Sequence, residues 1–265
     1  MKKNIIIFST VLALMSLAFF GFTNWNTTKI EKIKSSDSAI LAFDQNVKRN
    51  LPDLYYGVDT RFAAIKKSDI DSATTIYDFL NEGEKQQIVE INSVKLVKIK
   101  NNRLSDSAEY GNDEQLTDAQ IKLIKSTTYF DHFTVRTKFK GKNEKTGKLE
   151  DRLFSPHITV VPYHQARYND GKEALINYLK DNSINDLNII ENKELGAIKI
   201  AFVVTKEGQI SNIKHDAMTT GYPSLDKKLM ELIKSIPGEW TPAKTSEGEQ
   251  LDYEFVFTFG PRDGC

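Results

Sequence analysis

Along the C-terminal part of the chain the hydrophobic positions change period in a fixed order. Asp170 precedes Ala174, Leu175, Tyr178 and Leu179, whose spacing predicts a short amphipathic helix. Ala197 to Val204 is strand-like and runs into a Lys206-Glu207-Gly208 turn, after which a second strand is expected around Ile213. Leu225, Leu229, Leu232, Ile233 and Ile236 then line one face of a helix, with Lys227, Lys228 and Lys234 left for solvent, Ser224 placed to cap it and Pro237-Gly238 to stop it. Last, Tyr253, Phe255, Phe257 and Phe259 alternate with Glu254, Val256 and Thr258, so one side of a closing strand is wholly aromatic and must cover a core. The pattern is α-β-β-α-β, with helices on a small antiparallel sheet.

Upstream, residues 54–163 read as a β-rich domain with short helices. Ser68 is placed to cap a helix whose inward residues are Ile70, Ala73, Tyr77 and Leu80, with Asp71 three residues after the cap. Val94, Leu96 and Ile99 suggest a strand, and Asn101 to Glu114 reads as a polar loop. Thr117-x-x-Gln120 is a capping box opening a short helix through Ile121 and Ile124. Phe133, Val135, Thr137 and Phe139 alternate cleanly, Lys145-Thr146-Gly147-Lys148 turns, and Ile158 and Val160 return as a strand. The fold class is therefore α+β. This middle stretch faintly resembles the C-terminal β-sandwich domains of gliding-motility and secretion-motor proteins.

The N-terminus predicts export. Lys2 and Lys3 lead into an apolar run from Ile5 to Phe22, and polar chain begins at Thr23-Asn24, so residues 1–25 read as a secretory signal peptide or a signal anchor. Ser16-Leu17-Ala18 offers small residues for cleavage, while the run is also just long enough to span a bilayer, with Trp25 at the interface. Residues 26–53 follow as a lysine-rich tether, with a helix from Ala39 to Lys48 before Pro52. The expected location is the periplasm or cell envelope, in a form that is either released or held in the inner membrane, and membrane contact is expected through the N-terminal segment alone.

Composition narrows the chemistry. With 36 basic and 36 acidic residues and no basic stripe, nucleic acid is not an expected partner. The single cysteine, Cys265, is the final residue, so no intrachain disulfide can form and no cysteine follows the N-terminal segment to carry a lipid. His132, His157, His164 and His215 are scattered rather than set at metal-ligand spacing and read as surface or hairpin-flanking residues. No Gly-x-Ser-x-Gly elbow and no glycine-rich phosphate loop occurs, and the acidic pairs Asp69 with Asp71 and Glu150 with Asp151 read as solvated cap and turn residues. Trp240 reads as a core plug. A non-catalytic protein without cofactor or metal is expected.

Several C-terminal features in order resemble the TonB C-terminal domain family, in the form found in Bacteroidetes-type envelopes, over residues 168–260. They are Gly171-Lys172-Glu173-Ala174-Leu175; Gly196 with Ile198, Ile200, Phe202 and Val204; Gly208; Leu225-Asp226; and Trp240-x-Pro242-Ala243 with Gly248 after it. The resemblance implies a module that captures an extended segment of an envelope protein, such as an outer-membrane receptor, by adding it as a strand. In that family the last strand is the accepting edge, which maps here to Leu251, Asp252, Tyr253, Glu254, Phe255, Val256, Phe257, Thr258 and Phe259, with Asp252, Glu254, Val256 and Thr258 facing outward to tune selection. The chain departs from an energy transducer in having seven unclustered prolines, no histidine in its apolar run, and Asn182-Ser183-Ile184-Asn185 where the family often has Tyr-Pro. The rival expectation is a structural or assembly component of the envelope whose C-terminal domain only packs internally.

Overall fold

The computed structural model describes residues 51–101, 103–143, 145–190 and 194–264. The predicted signal segment, and the tether up to residue 50, lie outside the described residues. From Leu51 onward the chain is one compact unit containing mixed helix and strand.

The larger sheet begins with β2 (Ala63–Lys66), β3 (Ile88–Lys100) and β4 (Arg103–Gly111), followed by β5 (His132–Lys142), β6 (Leu149–Phe154) and β7 (His157–Val161). Its order is β2-β7-β5-β3-β4, with β6 pairing the C-terminal half of β5, and only β2 and β7 are parallel. The alternation expected of β5 holds: Phe133, Val135, Thr137 and Phe139 are all buried. Helices α1 (Lys67–Ser72), α2 (Glu82–Gln87) and α3 (Asp118–Lys125) flank this sheet, and the Thr117–Gln120 box caps α3 as expected. Ile70, Ile76, Leu96, Ile124, Phe133 and Ile158 form the centre of its core.

Two expectations in this region are corrected. The helix expected from Ser68 to Leu80 breaks at Ala73, and its N-cap is Lys66 rather than Ser68. Ala73 and Thr75 are extended, and the Asp78 carboxylate accepts the N–H groups of Thr74 and Thr75 at 3.0 and 2.9 Å and starts a separate 3-10 turn at Ile76. The stretch expected as a polar loop contains strand β4. Its residues are mostly exposed, so no burial period marks it, and backbone pairing to β3 holds it.

The second sheet combines both ends of the described chain. β1 (Leu54–Asp59), β9 (Ile198–Val204), β10 (Ile210–Met218) and β14 (Tyr253–Pro261) lie in the order β1-β14-β9-β10, all antiparallel. Helices α4 (Lys172–Ser183) and α5 (Pro223–Lys234) cover it through Leu175, Leu179, Leu225, Leu229 and Ile233. The expected domain boundary at 54 therefore does not follow the sheets, since β1 belongs with the C-terminal strands. Tyr222, not Ser224, is the N-cap of α5 and Pro223 is its first residue; the Asp226 carboxylate instead ties down Thr219 and Thr220, fixing the turn from β10. Gly208 is required in the β9–β10 turn, at φ +78° and with a Cβ position only 2.5 Å from the Trp240 carbonyl oxygen.

Two short ribbons finish the unit: β8 (Arg167–Tyr168) pairs β11 (Trp240–Thr241), and β12 (Ala243–Lys244) pairs β13 (Gln250–Leu251). Trp240 is buried against Tyr168, Phe202 and Phe255, as a core plug should be.

The two sheets are tied together by residues 60–62. Arg61 forms a buried ion pair with Asp216 of β10. Phe62 sits edge-on between the rings of His132 and His157, at centroid distances of 5.2 and 5.1 Å, and its N–H donates to Thr159 Oγ1. Phe130, held at φ +66°, packs edge-on against Tyr253 at 5.1 Å.

Candidate functional site

The residues expected to accept a partner strand do not form a free edge. Tyr253 to Phe259 pair with β9 along their whole length, and Val256 to Pro261 pair with β1 on the other side. Leu251 belongs to the β12–β13 ribbon, and the Asp252 carboxylate accepts the Lys206 N–H at 2.9 Å. A strand of the same chain, remote in sequence, pairs this side of β14 from Val256 onward. Local pattern gives no register between segments so far apart, so the sequence offered only the alternation of Leu54, Tyr56 and Val58 as a sign of β1.

The fit of β1 explains why it occupies this place. Leu54, Tyr56 and Val58 fall on the aromatic side of β14, where Tyr56 is opposite Phe259 and Val58 opposite Phe257. Val58 is buried, and the Tyr56 ring lies edge-on to Phe259 at 4.9 Å. The Tyr56 hydroxyl bonds Ser183 Oγ at 2.8 Å, linking β1 to the end of α4, and burial pushes its pKa up. The Tyr55 ring folds back over Gly57, so a Cβ there would stand 2.3 Å from the Tyr55 hydroxyl and would make that ring swing away. Lys172 reaches Asp59 at 2.5 Å and Arg262 reaches Asp53 at 2.7 Å, but these carboxylates are exposed and such pairs contribute little.

β1 covers only part of β14. Its register ends with Asp59 opposite Val256, so among the described residues no strand pairs the outer edge of Tyr253, Glu254 and Phe255. A cavity of about 400 Å³ opens beyond that end, lined by Val58, Lys172, Leu175, Trp240 and Phe255 among others. The Trp240 indole N–H has no hydrogen-bond partner, and the Tyr253 hydroxyl, raised in pKa chiefly by burial, donates to Gln165 at 2.8 Å. At the other margin β10 is blunted by two register shifts, with positive φ at Asn212 and Met218.

The histidines are separated. His132 and His157 flank Phe62, His164 lies in the ribbon facing Lys244, and His215 contacts the Met218 carbonyl of its own strand. Among the described residues no group of three or more His, Cys, Asp or Glu side chains is arranged to hold a metal, and no helix is long and apolar enough to cross a membrane. Compared with known proteins, the chain matches no family model, no curated protein and no solved structure.

Proposed function

We propose that this protein is a non-catalytic, TonB-like component of the cell envelope whose β14 edge captures an extended partner segment, with β1 holding that edge until the partner takes its place. The observation that carries this reading is the strand β1 itself: added antiparallel to β14, it makes in cis the backbone pairing that strand capture requires. The order β9, β10, α5, β14 is what the resemblance calls for. Exchange is favoured from the Asp53 end of β1, which is held by an exposed ion pair and by the partly buried Leu51 and Leu54, because the other end runs into the pinned residues Arg61 and Phe62. An incoming segment that is longer than β1 gains the unpaired edge of Tyr253 to Phe255 and the cavity beside it. The periplasm or envelope remains the proposed location, on the strength of the N-terminal segment.

A second reading is favoured by the burial of Val58 and the Tyr56–Ser183 bond: β1 never leaves, and the protein is a structural or assembly component with an internally completed sheet. Binding of a synthetic peptide with the sequence of residues 51–60 to the full-length protein separates the two. Saturable binding, increased when β1 is loosened by Tyr56→Ala and competing with an envelope protein captured from extract, supports exchange. No binding to either form refutes it and leaves the structural reading.

A further inference from the structure

The ribbon that carries Trp240 into the core presents a different surface to solvent. His164 and Lys244 exchange two backbone hydrogen bonds of 3.0 and 2.9 Å, and Arg167 pairs with Thr241 further along. Ala166, Tyr168, Trp240 and Ala243 are buried, whereas His164 and Arg167 are exposed and Lys244 half-buried. These outward side chains line a groove of about 530 Å³, within the roughly 300 to 1,000 Å³ usual for small-ligand sites, and no lining residue is a carboxylate. Lys66 adds a further cation beside it, with Nζ 4.6 Å from the centre of the Tyr163 ring.

Charge is what distinguishes this groove. In a chain with 36 basic and 36 acidic residues, an acid-free cluster is local segregation rather than a consequence of composition. Three other cavities each include a carboxylate in their lining: Asp216 in one, Asp59 in the second, and Glu90, Asp113 and Glu114 in the third. Lys66, Arg167 and Lys244 form no ion pair with a described residue. Gathering like charges without a counter-charge is unfavourable, and a bound anion relieves it. The Arg167 guanidinium supplies the planar fork that grips phosphate oxygens in pairs and Lys244 a point charge, while the Thr241 hydroxyl is already donated to Asn169 Oδ1 at 2.6 Å. Tyr163, 48% exposed, and Pro242 provide apolar wall for the organic part of an ester.

We propose that this groove binds a phosphate ester, either a soluble one or the headgroup of an anionic phospholipid. The groove adjoins the cavity beside the β14 edge, with which it shares Gln165 and Arg167, but the proposed ligand does not depend on strand exchange.

The test uses the full chain and an Arg167→Gln/Lys244→Gln double variant, with circular dichroism and the urea midpoint as checks that the fold is retained. Glycerol 3-phosphate and inorganic phosphate are titrated by calorimetry, and co-sedimentation is measured with phosphatidylglycerol and with phosphatidylcholine vesicles. Because Lys2, Lys3 and the lysine-rich residues 26–53 also favour anionic vesicles, the readout is the difference between wild type and double variant on phosphatidylglycerol, set against the same difference on phosphatidylcholine. Loss of two charge-assisted contacts is expected to weaken binding by about tenfold or more. Glycerol 3-phosphate binding that the double variant loses supports a soluble ester, and a variant-sensitive preference for phosphatidylglycerol supports a headgroup. No binding of any probe above the vesicle background, or equal binding by a correctly folded double variant, overturns the proposal.

Discussion

Replacing Tyr56 by alanine tests how firmly β1 is held. A fully buried aromatic costs about 3–5 kcal/mol when cut to alanine, and Tyr56 is half-buried, so about 2 kcal/mol is expected from its ring. The hydroxyl bond to Ser183 adds about 1 kcal/mol, moderated because Ser183 Oγ keeps its 3.1 Å bond to the Lys180 carbonyl. The loss should fall on β1 first, since the ring touches Phe257 and Phe259 but no residue of β9 or β10 in an aromatic contact. About 3 kcal/mol corresponds to opening of β1 that is roughly a hundredfold more frequent. Hydrogen exchange on the full-length protein, read by mass spectrometry, should therefore show faster exchange in residues 54–59 and in the β14 amides that bond to them. The β9 amides should stay protected, and Tyr56→Phe should show only the smaller effect of the missing hydroxyl. Unchanged exchange in β1, or an equal rise in β1, β9 and β14, would refute the reasoning, the latter because β1 would then be inseparable from the fold.

Two further substitutions follow from the same geometry. Val256→Pro removes an N–H inside a strand paired on both sides rather than at an edge, so it should destabilise the sheet by about 3 kcal/mol or more, seen as a lower urea midpoint and loss of near-UV dichroism; a fully folded variant would argue against the β1–β14 register. His132 is held below its usual pKa of 6.5 by burial and then by Arg61, against the opposing carboxylates Glu254 and Asp131. Its unfolded form therefore takes up a proton first, so its contribution is constant above the ordinary histidine range and is lost as pH falls through 6.5 toward the lower folded value. Urea midpoints at pH 7.5 and 5 should differ more for the wild type than for His132→Gln, and equal differences would remove His132 as the cause.

Much of the local structure was legible because it depends on near neighbours. Alternation along Phe133 to Phe139 and Tyr253 to Phe259, the helical stripe from Leu225 to Ile233 and the Thr117–Gln120 cap are all satisfied within a few residues of where they are written. Where burial does not impose a period, as along β4, pattern was silent and backbone pairing decided. A competing local bond had the same effect between Ser72 and Ile76, where Asp78 captured the N–H groups that a continuous helix would have used.

The sequence by itself determined that the last strand has one aromatic face and that a helix must cover it, because solvent exclusion acts on side-chain spacing alone. It did not determine which strand lies beside it. Pairing depends on backbone hydrogen bonds that every residue can offer, so Leu54 to Asp59 finds β14 only through the shape left by Phe257, Phe259 and the end of α4. The same holds for the cationic groove: the ribbon between residues 163–168 and 240–244 brings His164, Arg167 and Lys244 onto one surface, and the pairing of β2 with β7 sets Lys66 beside Tyr163.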